Sequence, residues 1–108
     1  MATKRTYGDR CGVARALDVV GERWALLVVR DLLLGPKRFT DLRAGLPHVS
    51  PDVLSQRLRE LEEEGLVERR VEAGTPVRVT YSLTVVGQEL DPVLGELKSW
   101  ARRWKKAS

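Results

Sequence analysis

From Cys11 onward, apolar residues recur at helical spacing. Val13, Ala16, Leu17 and Val20 fall three or four apart, and Gly21 is expected to stop the helix. Glu22 is expected to start a second helix, with Trp24, Leu27, Val28, Leu32 and Leu33 on a broad apolar face and Gly35-Pro36 ending it. Trp24 to Val29 is apolar all round, which places this helix in the core. Lys37-Arg38-Phe39 reads as short and extended, with Phe39 pointing inward. Thr40 is expected to cap a short helix carrying Leu42 and Leu46, closed by Gly45 and Pro47. The clearest start signal is Ser50-Pro51-Asp52. Serine accepts from orphan N–H groups as an N-cap, proline at the first helical position loses no needed donor, and aspartate suits the positive helix end. This helix spans residues 50–64, and Gly65 is its expected left-handed terminator.

Two strands follow. Val67 and Val71 share one face of the first. Val77, Val79, Tyr81 and Leu83 alternate with Arg78, Thr80 and Ser82 in the second, and Ala73 to Pro76 form the turn. Thr84 opens a closing helical segment over residues 84–105, striped with Val86, Leu90, Val93, Leu94, Leu97, Trp100, Ala101 and Trp104. Pro92 is expected to break or kink it, with Asp91 capping the second part. The fold class is therefore mainly α with a small β-hairpin. Two short helices, a tight turn and a hairpin wing over residues 67–83 describe a winged helix-turn-helix over residues 11–108, preceded by a loose basic arm at 1–10.

A length of 108 residues suits one domain, and 43% hydrophobic residues suffice for a core. One cysteine and one histidine exclude an intrachain disulfide and a four-ligand cysteine or histidine zinc site, so no metal or other cofactor is expected. No nucleophile–base pair or phosphate loop supports an enzyme. The absence of an apolar span or signal core points to a cytoplasmic chain with no membrane partner.

The net charge is +4 and unevenly placed. Lys4, Arg5 and Arg10 mark one end; Lys98, Arg102, Arg103, Lys105 and Lys106 mark the other. Such tails fit a polyanion partner, and equally fit solubility. The helix 50–64 is more informative. Leu54, Leu58 and Leu61 lie within about 60° of one another at helical pitch and form a buried stripe. Asp52, Ser55, Gln56 and Arg59 point away from it, with Ser50 at the cap and Arg57 on a flank. Arginine, glutamine and serine are groups that read base edges in a major groove. The glutamates at the far end would be repelled by phosphates, so the helix should enter N-terminus first. A solvated amphipathic face would carry the same residue types.

Lys37, Arg38 and Thr40 sit where backbone N–H groups and cations can hold a phosphate. Thr75 and Arg78 lie near the wing tip, within reach of a neighbouring groove or phosphate, although Arg78 could instead pair across to Glu72. His48, in the turn, suits a local hydrogen bond or a phosphate contact.

Four stretches together resemble the HxlR-type winged helix-turn-helix transcriptional regulators. They are Cys11 to Trp24, Arg38 to Leu42, Ser50 to Leu66 and Val79 to Gly87. The similarity covers residues 11–104. Two departures stand out: Gly12 replaces the family's usual proline, and the wing reads Pro76-Val-Arg-Val-Thr-Tyr81, without the usual second proline and glutamate. The resemblance implies a homodimer that binds a double-stranded DNA operator; two recognition helices one turn of duplex apart would make that operator roughly palindromic, and the expected role is a repressor that loses affinity on a signal. It implies operator binding through helix 50–64 and a dimer interface on the first and last helices, involving Val13, Leu17, Leu94, Leu97, Trp100 and Trp104. Trp100 and Trp104 argue for a partner independently, being an apolar stripe that follows an already complete core. Packing back onto the first helix is the alternative. Some family members use a cysteine at the position of Cys11 for redox or electrophile sensing, which makes Cys11 a candidate sensor of a small-molecule or oxidant effector; the alternative, which carries more weight, is a small packing residue near the dimer interface. A winged-helix protein-interaction module or a non-specific nucleic-acid binder is the alternative to an operator-binding regulator.

Overall fold

A computed structural model describes residues 11–105 of the chain. The basic arm at 1–10 and the terminal residues from Lys106 lie outside the described residues. The elements run α1 (Gly12–Val20), α2 (Ala25–Leu32), α3 (Phe39–Gly45), α4 (Pro51–Glu63), β1 (Val67–Glu72), β2 (Arg78–Leu83), α5 (Val85–Gln88) and α6 (Asp91–Lys105).

α4 follows its local signals. Ser50 is the N-cap, and its Oγ accepts from the Val53 N–H at 3.2 Å. Its C-terminus is a Schellman motif around Gly65 at φ 81°, with Leu66 N donating to Leu61 O at 2.9 Å and Gly65 N to Glu62 O at 3.0 Å. Leu61 and Leu66, joined by the bond that spans the wider turn, are both buried, as that motif favours.

Three expected starts shift. α2 begins at Ala25, not at Glu22, because Trp24 takes a left-handed φ of 78° and so lies outside the helix. Its buried face is accordingly Ala25, Val28, Val29 and Leu32, a clean i, i+3, i+4, i+7 set, while Leu27 is exposed and Trp24 and Leu33 are only partly covered. α3 is capped at Arg38, not Thr40: the Asp41 carboxylate reaches back to accept from the Arg38 N–H at 3.1 Å. Thr40 therefore sits inside the first turn. Val77, expected in the second strand, falls in the turn before β2.

The core joins α2, α3, α4 and the base of the hairpin, with Val28, Val29, Leu42, Leu54, Leu58 and Leu61 fully buried. β1 and β2 pair antiparallel from Val67↔Leu83 to Glu72↔Arg78. Lys37 adds a single bridge on the far side of β2, exchanging backbone hydrogen bonds with Tyr81 at 2.9 and 2.8 Å. The hairpin leaves the core as it extends: Val67 and Leu83 are buried at its base, and Val71 is exposed.

The closing segment is two helices. Thr84 caps α5 by accepting from the Gly87 N–H at 3.1 Å. Gly87 is buried so close to the Leu66 carbonyl that a side chain there would collide with it. The break falls at Glu89-Leu90, and Pro92 occupies the first turn of α6, where its missing N–H costs nothing. Of the expected stripe, only Leu90 and Leu94 pack against the core. Among the described residues no helix is long and apolar enough to cross a membrane.

Candidate nucleic-acid interface

α3, the turn 46–50 and α4 form the helix-turn-helix. Leu46 and Val49 anchor the turn from inside, leaving His48 exposed. The stripe Leu54, Leu58 and Leu61 fixes the rotation of α4 about its axis. With those leucines inward, Asp52 and Arg59 are exposed, and Ser55 and Gln56 are half-buried. Ser50 is exposed; its oxygen accepts from the helix, and its O–H is still able to donate outward.

Arg57 does not join that face. Its side chain is 14% exposed and is drawn to the start of α2, where Nε donates to the Arg23 carbonyl oxygen at 2.7 Å. Nη1 meets Glu60 Oε1 at 3.0 Å, and Nη2 lies 3.8 Å from Glu22 Oε2. This guanidinium holds α4 to the α1–α2 connection and is not presented to a phosphate.

Arg38 and Thr40 are exposed at the start of α3, and Lys37 is half-buried through its bridge to β2. On the wing, Thr75 and Arg78 are exposed, and the register sets Arg78 directly opposite Glu72.

Arg69 was missed by the reading of the sequence. It shares a β1 face with Val67 and Val71, and with Tyr81, its cross-strand partner, it forms one wall of a cleft of about 260 Å³. Ser55, Arg59 and Glu62 form the other wall. The signal was the alternation of β1, which puts residue 69 on the side of residues 67 and 71. Arg59 and Arg69 thus flank the gap between the helix and the wing.

Apolar side chains are also exposed on α1 and on α6. Val13 and Leu17 are exposed on α1, Leu97, Trp100 and Trp104 on α6, and Leu94 is half-buried against the core. The Trp100 and Trp104 rings stack at 5.3 Å with planes 12° apart. Trp100 is 53% and Trp104 63% exposed, so this stack is not inserted into the chain's own core. At the head of α1, Cys11 is exposed and serves as the N-cap, its Sγ accepting from the Ala14 N–H at 3.3 Å.

The model of the HxlR-like helix-turn-helix family matches residues 19–108. The chain is 50% identical over 90 residues to the HTH-type transcriptional regulator YvaP of Bacillus subtilis, a match covering 83% of each chain. Among solved structures it is similar to the reduced form of the transcriptional regulator YodB from B. subtilis, with a TM-score of 0.78, 38% identity, and coverage of 88% of this chain and 94% of that one. The redox regulator HypR in its oxidized form aligns with a TM-score of 0.81 and 36% identity, over 86% of this chain and 96% of that one. With nearly the whole winged helix-turn-helix covered by the family's model and these likenesses, the chain belongs to the HxlR-like helix-turn-helix family.

Proposed function

We propose that this protein is a sequence-specific, double-stranded DNA-binding transcriptional regulator, acting as a homodimeric repressor. The single observation that carries the base-reading role is the rotation of α4: three fully buried leucines hold Asp52, Ser55, Gln56 and Arg59 on the outward side of the helix. In a major groove, Arg59 would read guanine and Gln56 adenine, with Ser50 and Ser55 contributing at the N-terminal end. Lys37, Arg38 and Thr40 would hold phosphates, and Thr75 and Arg78 would carry the wing to the adjacent groove or backbone. Arg69, across the cleft from Arg59, joins this set.

The homodimer is supported by the exposed apolar residues of α1 and of α6, which a second copy would cover through Val13, Leu17, Leu94, Leu97, Trp100 and Trp104. Two recognition helices one turn of duplex apart, about 34–36 Å, would select a roughly palindromic operator. Cys11, exposed at the head of α1, is the candidate sensor through which an oxidant or electrophile would lower operator affinity. The likeness to reduced YodB and oxidized HypR supports that direction.

Selection of bound duplexes from a random pool, with and without oxidant, tests this function. A palindromic consensus that disappears on oxidation is the expected result. Equal recovery of all sequences would replace it with non-specific binding or a protein-interaction module.

A further inference from the structure

The register of the hairpin puts three polar side chains in one row. Arg69 pairs with Tyr81 across the hairpin, and Tyr81 pairs with Lys37 on its other side. Residues directly opposite on neighbouring strands share a face, so Arg69, Tyr81 and Lys37 point to the same side of the sheet. Tyr81 commits both backbone groups to Lys37, at 2.9 and 2.8 Å. Its pairing with Arg69 is therefore the non-hydrogen-bonded kind, in which side chains approach more closely, and the row from Arg69 to Lys37 spans about 10 Å between Cα atoms. Val67 and Leu83, two residues along on the same face, are buried, so this is the face turned toward the core. Ser55 and Arg59 of α4 line one cleft with Arg69 and Tyr81.

The charges beside the cleft differ in their commitments. Arg70 points to the opposite face and is held by Glu68 at 3.1 Å. Among the described residues no hydrogen bond or ion pair engages the Arg69 guanidinium or the Tyr81 hydroxyl. Glu62 lines the cleft three residues beyond Arg59 and would repel an anion from that end, which leaves the Ser55 end open to one.

We propose that the row Arg69–Tyr81–Lys37 seats a sugar-phosphate strand of duplex DNA, with Arg69 and the Tyr81 hydroxyl donating to its phosphate oxygens alongside Lys37. This rests on the reading of α4 as the helix in the major groove. With α4 there and the wing at the adjacent groove, the strand that separates the two grooves has to cross the space between them. That space is this cleft. Arginine, lysine and tyrosine side chains are all phosphate donors, and such contacts fix register on the duplex without reading its sequence. The row also lies close to packed structure. Arg69 is two residues from the buried Val67, and the Tyr81 ring packs against the core, whereas Thr75 and Arg78 stand at the exposed end of the hairpin. The seat therefore sets where α4 rests along the duplex and leaves base contacts to the helix itself.

The test uses the full chain and a duplex selected from a random pool, its single-base-pair variants, and copies carrying a neutral methylphosphonate at one phosphate at a time. The proteins compared are the parent, Arg69→Ala, Tyr81→Phe, Arg70→Ala and Arg59→Ala. Arg69→Ala should bind every duplex roughly fivefold to tenfold more weakly and reduce the slope of log affinity against log salt by about 0.9. Tyr81→Phe keeps the ring in place and should lose roughly threefold to tenfold on every duplex with the slope unchanged. Arg70→Ala, the control on the opposite face, should stay within about twofold of the parent. Neutralising one phosphate beside the base pair affected by Arg59→Ala should weaken the parent and weaken Arg69→Ala no further. A loss confined to one base pair, an unchanged salt slope, a loss no larger than that of Arg70→Ala, or equal sensitivity of parent and Arg69→Ala to every methylphosphonate would overturn the proposal. If Arg59→Ala flattens one base pair and Arg69→Ala changes nothing, the seat falls and the reading of α4 stands. If Arg69→Ala behaves as expected and Arg59→Ala weakens all duplexes equally, the base-reading role of Arg59 falls and the seat stands.

Discussion

The hydroxyl of Thr84 donates to the carbonyl oxygen of Gly65 at 2.6 Å. That bond ties the terminator of α4 to the cap of α5, across the base of the hairpin. The Thr84 N–H adds a second link, to the Leu66 carbonyl oxygen at 3.0 Å. One residue thus holds the helix end, the hairpin base and the start of the closing segment together. Thr84→Val keeps the shape but removes the cap and the side-chain link. It should lower the unfolding free energy by about 1–2 kcal/mol in urea titration.

Leu58 and Arg59 are adjacent in the chain and opposite in role. Leu58 is buried in the central stripe, and Arg59 is exposed. Leu58→Ala should cost about 2–5 kcal/mol of stability. Arg59→Ala should stay within about 0.5 kcal/mol of the parent while weakening operator binding. Denaturation and duplex binding measured on both variants separate the two effects.

The stacked tryptophans predict an association constant sensitive to their removal. Trp100→Ala/Trp104→Ala should sediment as a monomer at concentrations where the parent is a dimer. Its operator affinity should fall toward that of a single half-site. A variant that remains dimeric would place the interface elsewhere.

Lys37 should act on any duplex. Lys37→Ala should weaken operator and scrambled DNA alike, and should reduce the slope of log affinity against log salt by about 0.9. A loss restricted to the operator would make Lys37 a base reader.

Cys11→Ser should bind the operator as the parent does and retain that affinity after oxidant treatment. Equal loss in both proteins would remove Cys11 from the sensing role.

Where the determinants are local, the sequence was a good guide. The cap Ser50-Pro51-Asp52, the terminator Gly65 and the stripe of three leucines all lie within the element they define, and α4 carries each of them as expected. Arg57 could not be placed the same way. Its helical position puts it on a flank, and its backbone partner at Arg23 is 34 residues away, so only the packed fold shows that it turns inward. Trp24 hid for a related reason: its apolar character fits a helix, but its left-handed backbone belongs to the connection before it. In the closing segment the stripe was visible and its division was not. Leu90 and Leu94 pack against the core while Val93, Leu97, Trp100 and Trp104 are exposed, a distinction that depends on which side of the segment meets the packed fold.

The most direct measurement is the ratio of affinities for a selected duplex and its scrambled counterpart at physiological salt, taken for the parent and for Arg59→Ala. The parent should prefer the selected duplex by about a thousandfold or more. Arg59→Ala should lose about 1–3 kcal/mol on the selected duplex and far less on the scrambled one. Equal affinities in the parent, or equal losses on both duplexes in the variant, would contradict a base-reading role for the outward face of α4.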